Sequence, residues 1–164
     1  MSPRAAWRLE GLGFTQVYDY VDGISDWLAA GMPSEGTSVG PRGSRAGDVA
    51  RRDTPTCALD ERLGAVAERA KEAGFDACVV INEERVVLGL LRAAELAKDP
   101  SLRIEQAMRP GPSTYRPNVP IAELVKVMAD TDRPCFPITT LDGRLVGLLR
   151  LEDALQALVD TGEV

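Results

Sequence analysis

The stretch LGLLRAAEL, Leu88 to Leu96, returns nearly unchanged as VGLLRLEDA, Val146 to Ala154. Gly89, Arg92 and Glu95 meet Gly147, Arg150 and Asp153 at a constant offset of 58 residues. The same offset lays Thr54–Leu96 over Pro112–Ala154 without a gap, placing Thr56 on Thr114, Leu63 on Ile121, Val66 on Leu124 and Val80 on Ile138. A repeat of this length marks one folding unit used twice.

Each copy reads in the same order. A short extended piece, Pro55–Ala58 or Ser113–Arg116, leads to a polar stop at Asp60 or Asn118-Val119-Pro120. Asp suits a helix cap and Pro a first helical turn. Apolar residues then recur at helical spacing: Leu63, Val66, Ala67 and Ala70 in one copy, Ile121, Leu124, Val125 and Met128 in the other. Gly74 and Thr131–Pro134 close these helices. Strands are predicted over Ala77–Ile81 and Cys135–Thr139, with returning strands over Val86–Leu91 and Leu145–Leu149. A last helix starts at Arg92 or Arg150. One unit of about 45 residues cannot bury its sheet faces alone, so the two should pack together.

The doubled β-α-β-β-α order, the strand Phe136-Pro137-Ile138-Thr139 and the Gly-apolar-apolar-x-x-x-acid block resemble a tandem pair of CBS domains, a Bateman module. The resemblance implies an α+β fold, with two repeats packed as a pseudo-two-fold pair. Repeat 1 is expected over residues 48–104 and repeat 2 over 105–164. It also implies a regulatory module rather than an enzyme, with an adenosine nucleotide as its common ligand.

Residues 1–33 lie outside the repeat, and a helix (Arg4–Leu12), a strand (Gln16–Tyr20) and a helix (Ile24–Ala30) are expected there. Gly13-Phe14, Val17, Gly23, Trp27, Gly31 and Pro33 resemble the C-terminal tail of a rhodanese-like sulfurtransferase, with Asp22 where a glycine is usual. That family's nucleophilic cysteine has no counterpart ahead of the first helix. The resemblance therefore implies a non-catalytic remnant, packed on the other domain or on a partner chain through Trp7 and Trp27. Residues 34–47, rich in Gly and Ser, read as a flexible linker.

Composition narrows the chemistry. With no histidine, zinc sites with imidazole ligands and Ser-His or Cys-His nucleophile systems are excluded. Cys57, Cys78 and Cys135 sit in apolar surroundings and read as buried thiols. A net charge of −6 without a basic stripe argues against a nucleic-acid partner. No apolar run reaches the ~18–20 residues that span a bilayer, and no signal-peptide pattern opens the chain, so a cytoplasmic location is expected.

The doubled block carries the candidate site. In CBS domains the third residue after the glycine is usually Thr or Ser, followed three residues on by Asp. That pattern is a capping box. In members that bind nucleotides the hydroxyl often meets phosphate and the acid meets ribose. Here Glu95 and Asp153 keep the acid, while Arg92 and Arg150 replace the hydroxyl. Arginine cannot accept from the free amides of a helix start, and losing a good cap costs about 0.5–2 kcal/mol. Two accounts stand side by side. The guanidinium groups grip phosphate as planar forks, or each pairs with the acid of its own first turn. By resemblance, Thr56 and Thr114 would lie near a base or ribose, and Cys78-Val79 and Phe136-Pro137 would wall the adenine. The pocket containing Arg150 and Asp153 is favoured. No catalytic or metal-binding residue and no required cofactor is expected.

The leading expectation is a module that senses AMP, ADP or ATP between its two units, assembles as a homodimer through a Val125, Val127 and Met128 stripe, and acts on a further regulated protein. The alternative is a structural dimerisation module with empty pockets.

Overall fold

The computed structural model describes residues 2–18, 20, 21, 23, 27 and 44–162. After α1 (Ser2–Gly11) come a short leading helix α2 (Ala46–Val49) and a first unit. The unit contains β1 (Thr56–Cys57), α3 (Leu63–Glu72), β2 (Ala77–Ile81), β3 (Val87–Arg92) and α4 (Ala93–Leu96). A second leading segment, α5 (Ile104–Ala107) and β4 (Arg109–Pro110), precedes a second unit of α6 (Ile121–Thr131), β5 (Cys135–Thr139), β6 (Leu145–Arg150) and α7 (Leu151–Thr161). The fold is α+β with two like units, as expected.

Strand alternation builds both cores. Cys78, Val80 and Leu91 face α3 with Leu63, Val66 and Ala70, whereas Ala77, Val79 and Leu90 face the other unit. Their counterparts Cys135 and Leu148 complete that seam, and Phe136, Ile138 and Leu149 face α6. β2 pairs antiparallel with β3, and β5 with β6, in the same register: Cys78 opposite Leu91, Phe136 opposite Leu149. The units also join edge to edge. Val87 N–H donates to the Gly143 carbonyl (3.0 Å) and Leu145 N–H to the Arg85 carbonyl (2.9 Å), a reciprocal pair across a local two-fold. Arg85 holds φ +64° where its counterpart is Gly143 at +83°.

The leading segments cross over. Ile104 and Ala107 are buried in the first unit's core, and Ala46 and Ala50 in the second's. β4 adds to β3 through Leu90 and Arg109, and Arg51 bridges Leu148 at the equivalent place. This accounts for the glycine of the repeated block. A Cβ on Gly147 would lie 2.7 Å from the Arg51 carbonyl oxygen, and one on Gly89 would run into Met108 Sδ and lie 3.1 Å from the Arg109 oxygen.

Crossing also corrects the expected helix starts. The N-cap of α3 is Arg62 rather than Asp60, and Pro120 is itself the N-cap of α6 rather than a first-turn residue; neither side chain caps its helix. The free amides instead find backbone carbonyls of the crossing segments. Leu63 donates to Leu102 (2.9 Å), Gly64 to Pro100 (3.0 Å) and Ile121 to Ser44 (3.0 Å). With the terminal donors satisfied, a side-chain cap is unnecessary.

The linker expectation fails at its end. Ala46 and Gly47 belong to α2, with Ala46 fully buried and Gly47 close against Pro117; residues 34–43 lie outside the described residues. In the N-terminal part α1 matches the expected helix, but residues 16–18 and 20 form no strand. A strand needs an edge to pair with, and none runs beside this segment among the described residues. Trp7 is 76% exposed and so does not pack on the repeats of its own chain. Trp27 meets Tyr20 edge to face at 5.2 Å, while the rest of the expected helix Ile24–Ala30 lies outside the described residues.

Candidate functional site: two clefts with unlike arginines

Arg92 and Arg150 occupy equivalent N-cap positions, at the ends of β3 and β6. Their side chains have different fates. Arg150 closes on Asp153, Nε to Oδ2 at 2.6 Å and Nη2 to Oδ1 at 2.8 Å, and its Nη1 reaches Glu152 at 2.5 Å. Its Cζ lies 5.1 Å over the Phe75 ring, and Arg51 stacks over the same ring at 5.3 Å. Arg51 is itself forked onto Asp53. This cation–π stack between two guanidinium groups fixes Arg150 against the opposite unit. The first amide of α7 needs no cap from Arg150, because Leu151 N–H donates to the Pro134 carbonyl at 2.8 Å.

Arg92 forms no such pair. Glu95 is 3% exposed; it accepts the Arg92 backbone N–H (3.1 Å) and Nε of Arg109 (2.6 Å). Burial alone would raise the Glu95 pKa, but the Arg109 hydrogen bond and the Arg92 amide outweigh it and hold the carboxyl below its ordinary range. The Arg92 Nε is buried without a hydrogen-bond partner. Of the two accounts of these arginines, the pair within the first turn therefore applies to Arg150 with Asp153 and not to Arg92 with Glu95.

Of these residues Arg150 lines one of two cavities of about 390 Å³ each, and Arg92 and Glu95 line neither. One lies at the seam, lined by Gly74, Asp76, Pro134, Arg150, Glu152 and Leu155. The other opens in the first unit between the β1 segment and the β2–β3 end, with Thr56, Cys57, Ala58, Glu61, Ile81 and Asn82 among its walls. Thr56 and Arg150 thus line separate cavities. Thr114 is exposed on the other unit. Phe136 is 1% exposed and meets Tyr115 edge to face at 4.8 Å, and Pro137 is buried; both are core residues rather than walls of an open cleft. Cys78 and Val79 are likewise fully buried.

Sequence reasoning missed Phe75, Arg51 and Arg109. Arg51 and Arg109 are 58 residues apart, so extending the repeat upstream of Thr54 would have found them. Phe75 has no such signal, because its counterpart is Arg133. All three cysteines are buried free thiols. The Cys78 hydrogen bond and burial push the Cys57 thiol up, and burial pushes Cys135 up to about 11. Among the described residues no cluster of metal-ligating side chains occurs and no helix is long and apolar enough to cross a membrane.

Comparison with known proteins places this architecture. The CBS domain family matches residues 104–160. An uncharacterized protein of Methanopyrus kandleri is 28% identical over 123 residues, which are 70% of this chain and 63% of that one. The magnesium transporter MgtE of Thermus thermophilus is 31% identical over 80 residues, 48% of this chain and 18% of the transporter. The chain thus spans less than two thirds of these relatives. Among solved structures, CBSX2 in complex with AMP, a protein of Arabidopsis thaliana, superposes with a TM-score of 0.67 at 17% identity, over 73% of this chain and 99% of that one. Nothing in these comparisons supports the rhodanese-like reading of residues 1–33. The two repeats share the fold of a CBS domain pair.

Proposed function

We propose that this chain is a regulatory module that senses an adenosine nucleotide, AMP, ADP or ATP, between its two units. The observation that carries the reading is the cavity of about 390 Å³ beside Thr56, set in the fold of a CBS pair. That volume lies within the ~300–1,000 Å³ typical of small-ligand sites. Its lining combines apolar Leu59, Ile81 and Leu88 with the polar Thr56 and Asn82 and the acidic Glu61 and Glu83, a surface suited to a flat base that presents N–H groups. The solved CBSX2 complex, with AMP bound to a protein of the same fold, supports the same ligand class.

In this reading Thr56 stands at the base or ribose, and the nucleotide runs from that cavity to the separate seam cavity, where Arg150, with Asp153 beside it, serves the polar end. Glu152 is 70% exposed, so its pair with Arg150 is the weak contact that a phosphate would replace, while the Asp153 fork keeps the guanidinium oriented. Arg92, Glu95 and Thr114 belong to the second, related cleft. The ligand would favour one arrangement of the two units and so alter what a partner protein meets. The likeness to a magnesium transporter makes an ion-transport protein one class of regulated partner. A homodimer in the cytoplasm is the proposed working form.

Isothermal titration with AMP, ADP and ATP, paired with thermal unfolding, tests this. Heat and a raised midpoint with one of them are expected. No heat and no shift with any of the three would overturn the reading.

A further inference from the structure

The residues that wall the base cavity of the first unit have counterparts in the second at the offset of 58. Thr56, Ala58, Ile81 and Asn82 correspond to Thr114, Arg116, Thr139 and Thr140. The small methyl of Ala58 therefore becomes an arginine. The Arg116 guanidinium turns inward: Nη1 donates to the Thr139 hydroxyl (2.6 Å), to the Thr139 carbonyl (3.3 Å) and to the Thr140 carbonyl. Thr139 is fully buried, while Arg116 and Thr140 are half-buried, so the guanidinium covers the inner hydroxyl from the surface side.

We infer that Arg116 is a built-in plug that occupies the second base site, so that each chain takes one nucleoside, in the first unit only. This rests on the adenosine reading of the Thr56 cavity. The guanidinium ends on residues equivalent to Ile81 and Asn82, two walls of the open cavity. It satisfies the buried Thr139 hydroxyl and adds bonds to the Thr139 and Thr140 carbonyls, and a side chain tethered to the protein does so without the entropy loss of association.

The plug also reports what the open site asks of its ligand. The Asn82 carbonyl accepts the Arg85 amide at 3.0 Å, just as the Thr140 carbonyl accepts the Gly143 amide at 3.1 Å. The additional bond that Arg116 gives to Thr140 has no equivalent from Ala58, whose side chain carries no donor and whose amide is given to Glu61. A ligand in the first unit gains by placing N–H groups there, as the exocyclic amine of adenine can. The carbonyl of guanine at the same ring position would face carbonyls.

Two exchanged variants test the plug. Calorimetry on the wild type should give one site per chain, with AMP at least ten-fold tighter than GMP. Arg116→Ala should raise the stoichiometry to two. Ala58→Arg, which copies the plug into the first unit, should weaken AMP at least 100-fold while circular dichroism stays native. Two sites in the wild type, unchanged stoichiometry in Arg116→Ala, or full affinity in Ala58→Arg would each overturn the inference. Silence of the wild type toward every nucleotide would count against the adenosine reading. The plug would then be judged on a crystal structure of Arg116→Ala soaked in adenosine: a cavity between Thr114 and Thr140 supports it, and a collapsed wall overturns it.

Discussion

Arg109, from the segment that leads into the second unit, donates its Nε to the buried carboxylate of Glu95 in the first unit at 2.6 Å. The same carboxylate takes the Arg92 amide, so one acid anchors a crossing strand and caps a helix start. Arg109→Ala should destabilise the protein by about 1–2 kcal/mol. A hydrogen bond to a charged group is worth ~1.5–3 kcal/mol, and the exposure of the Arg109 side chain, 62%, reduces that. Urea unfolding measures it.

The same residue sets a pH response. The Glu95 pKa lies below its ordinary 4.5 in the folded protein, so its contribution is complete above that value and is lost as pH falls through the folded pKa. The thermal midpoint should hold level near neutrality and decline below about pH 4.5. Arg109→Ala should flatten part of that decline, because the hydrogen bond that lowers the pKa is gone.

Gly147→Ala should cost about 1–3 kcal/mol, the range for forcing extra atoms into a packed interior. The added methyl meets a backbone oxygen, that of Arg51, which cannot move without shifting the crossing strand. Gly89→Ala should cost less, since its nearest obstacle is the sulfur of the flexible Met108 side chain. A reversed order in guanidinium unfolding would refute this account of the two glycines.

Arg150 is held by its own turn and by Phe75, so Arg150→Ala should lower stability by about 1.5–3 kcal/mol even without ligand. Arg150→Lys should recover only part, because an ammonium cannot reproduce the fork and the stack together. A double-mutant cycle with Phe75→Leu should return a coupling of about 0.5–2 kcal/mol. Zero coupling would mean that the stack contributes no stability.

All three thiols are buried, and burial raises the Cys135 pKa to about 11. Ellman's reagent at pH 8 should find no reactive cysteine in the native protein and three after denaturation. Prompt labelling of one thiol would show that its core opens.

Much of each unit was legible because its signals are local. β2 and β5 have the bounds that apolar runs and turn residues predicted, Ala77–Ile81 and Cys135–Thr139. α2 was not legible: four residues carry no helical period, and Ala46 is buried only because a unit more than 70 residues away needs it. For the same reason helix caps were sought in nearby side chains, whereas the acceptors came from Pro100, Leu102 and Ser44. In the candidate site, the anomaly at Arg92 and Arg150 was visible as a poor cap made twice. The divergence between them was not, since it depends on Phe75 facing one arginine and on Arg109 claiming Glu95 from the other.

The exchange of leading segments fixes when the protein can be finished during synthesis. Ala46 hydrogen-bonds to Val119 at 2.9 Å, and the first unit still lacks Ile104, Ala107 and β4 when its own last helix has been made. A nascent chain therefore carries an unfilled core and an unpaired β3 edge until the start of the second unit leaves the ribosome. Contacts of such long sequence separation slow the final docking relative to the local hairpins. Neither half matures first; the two units close each other.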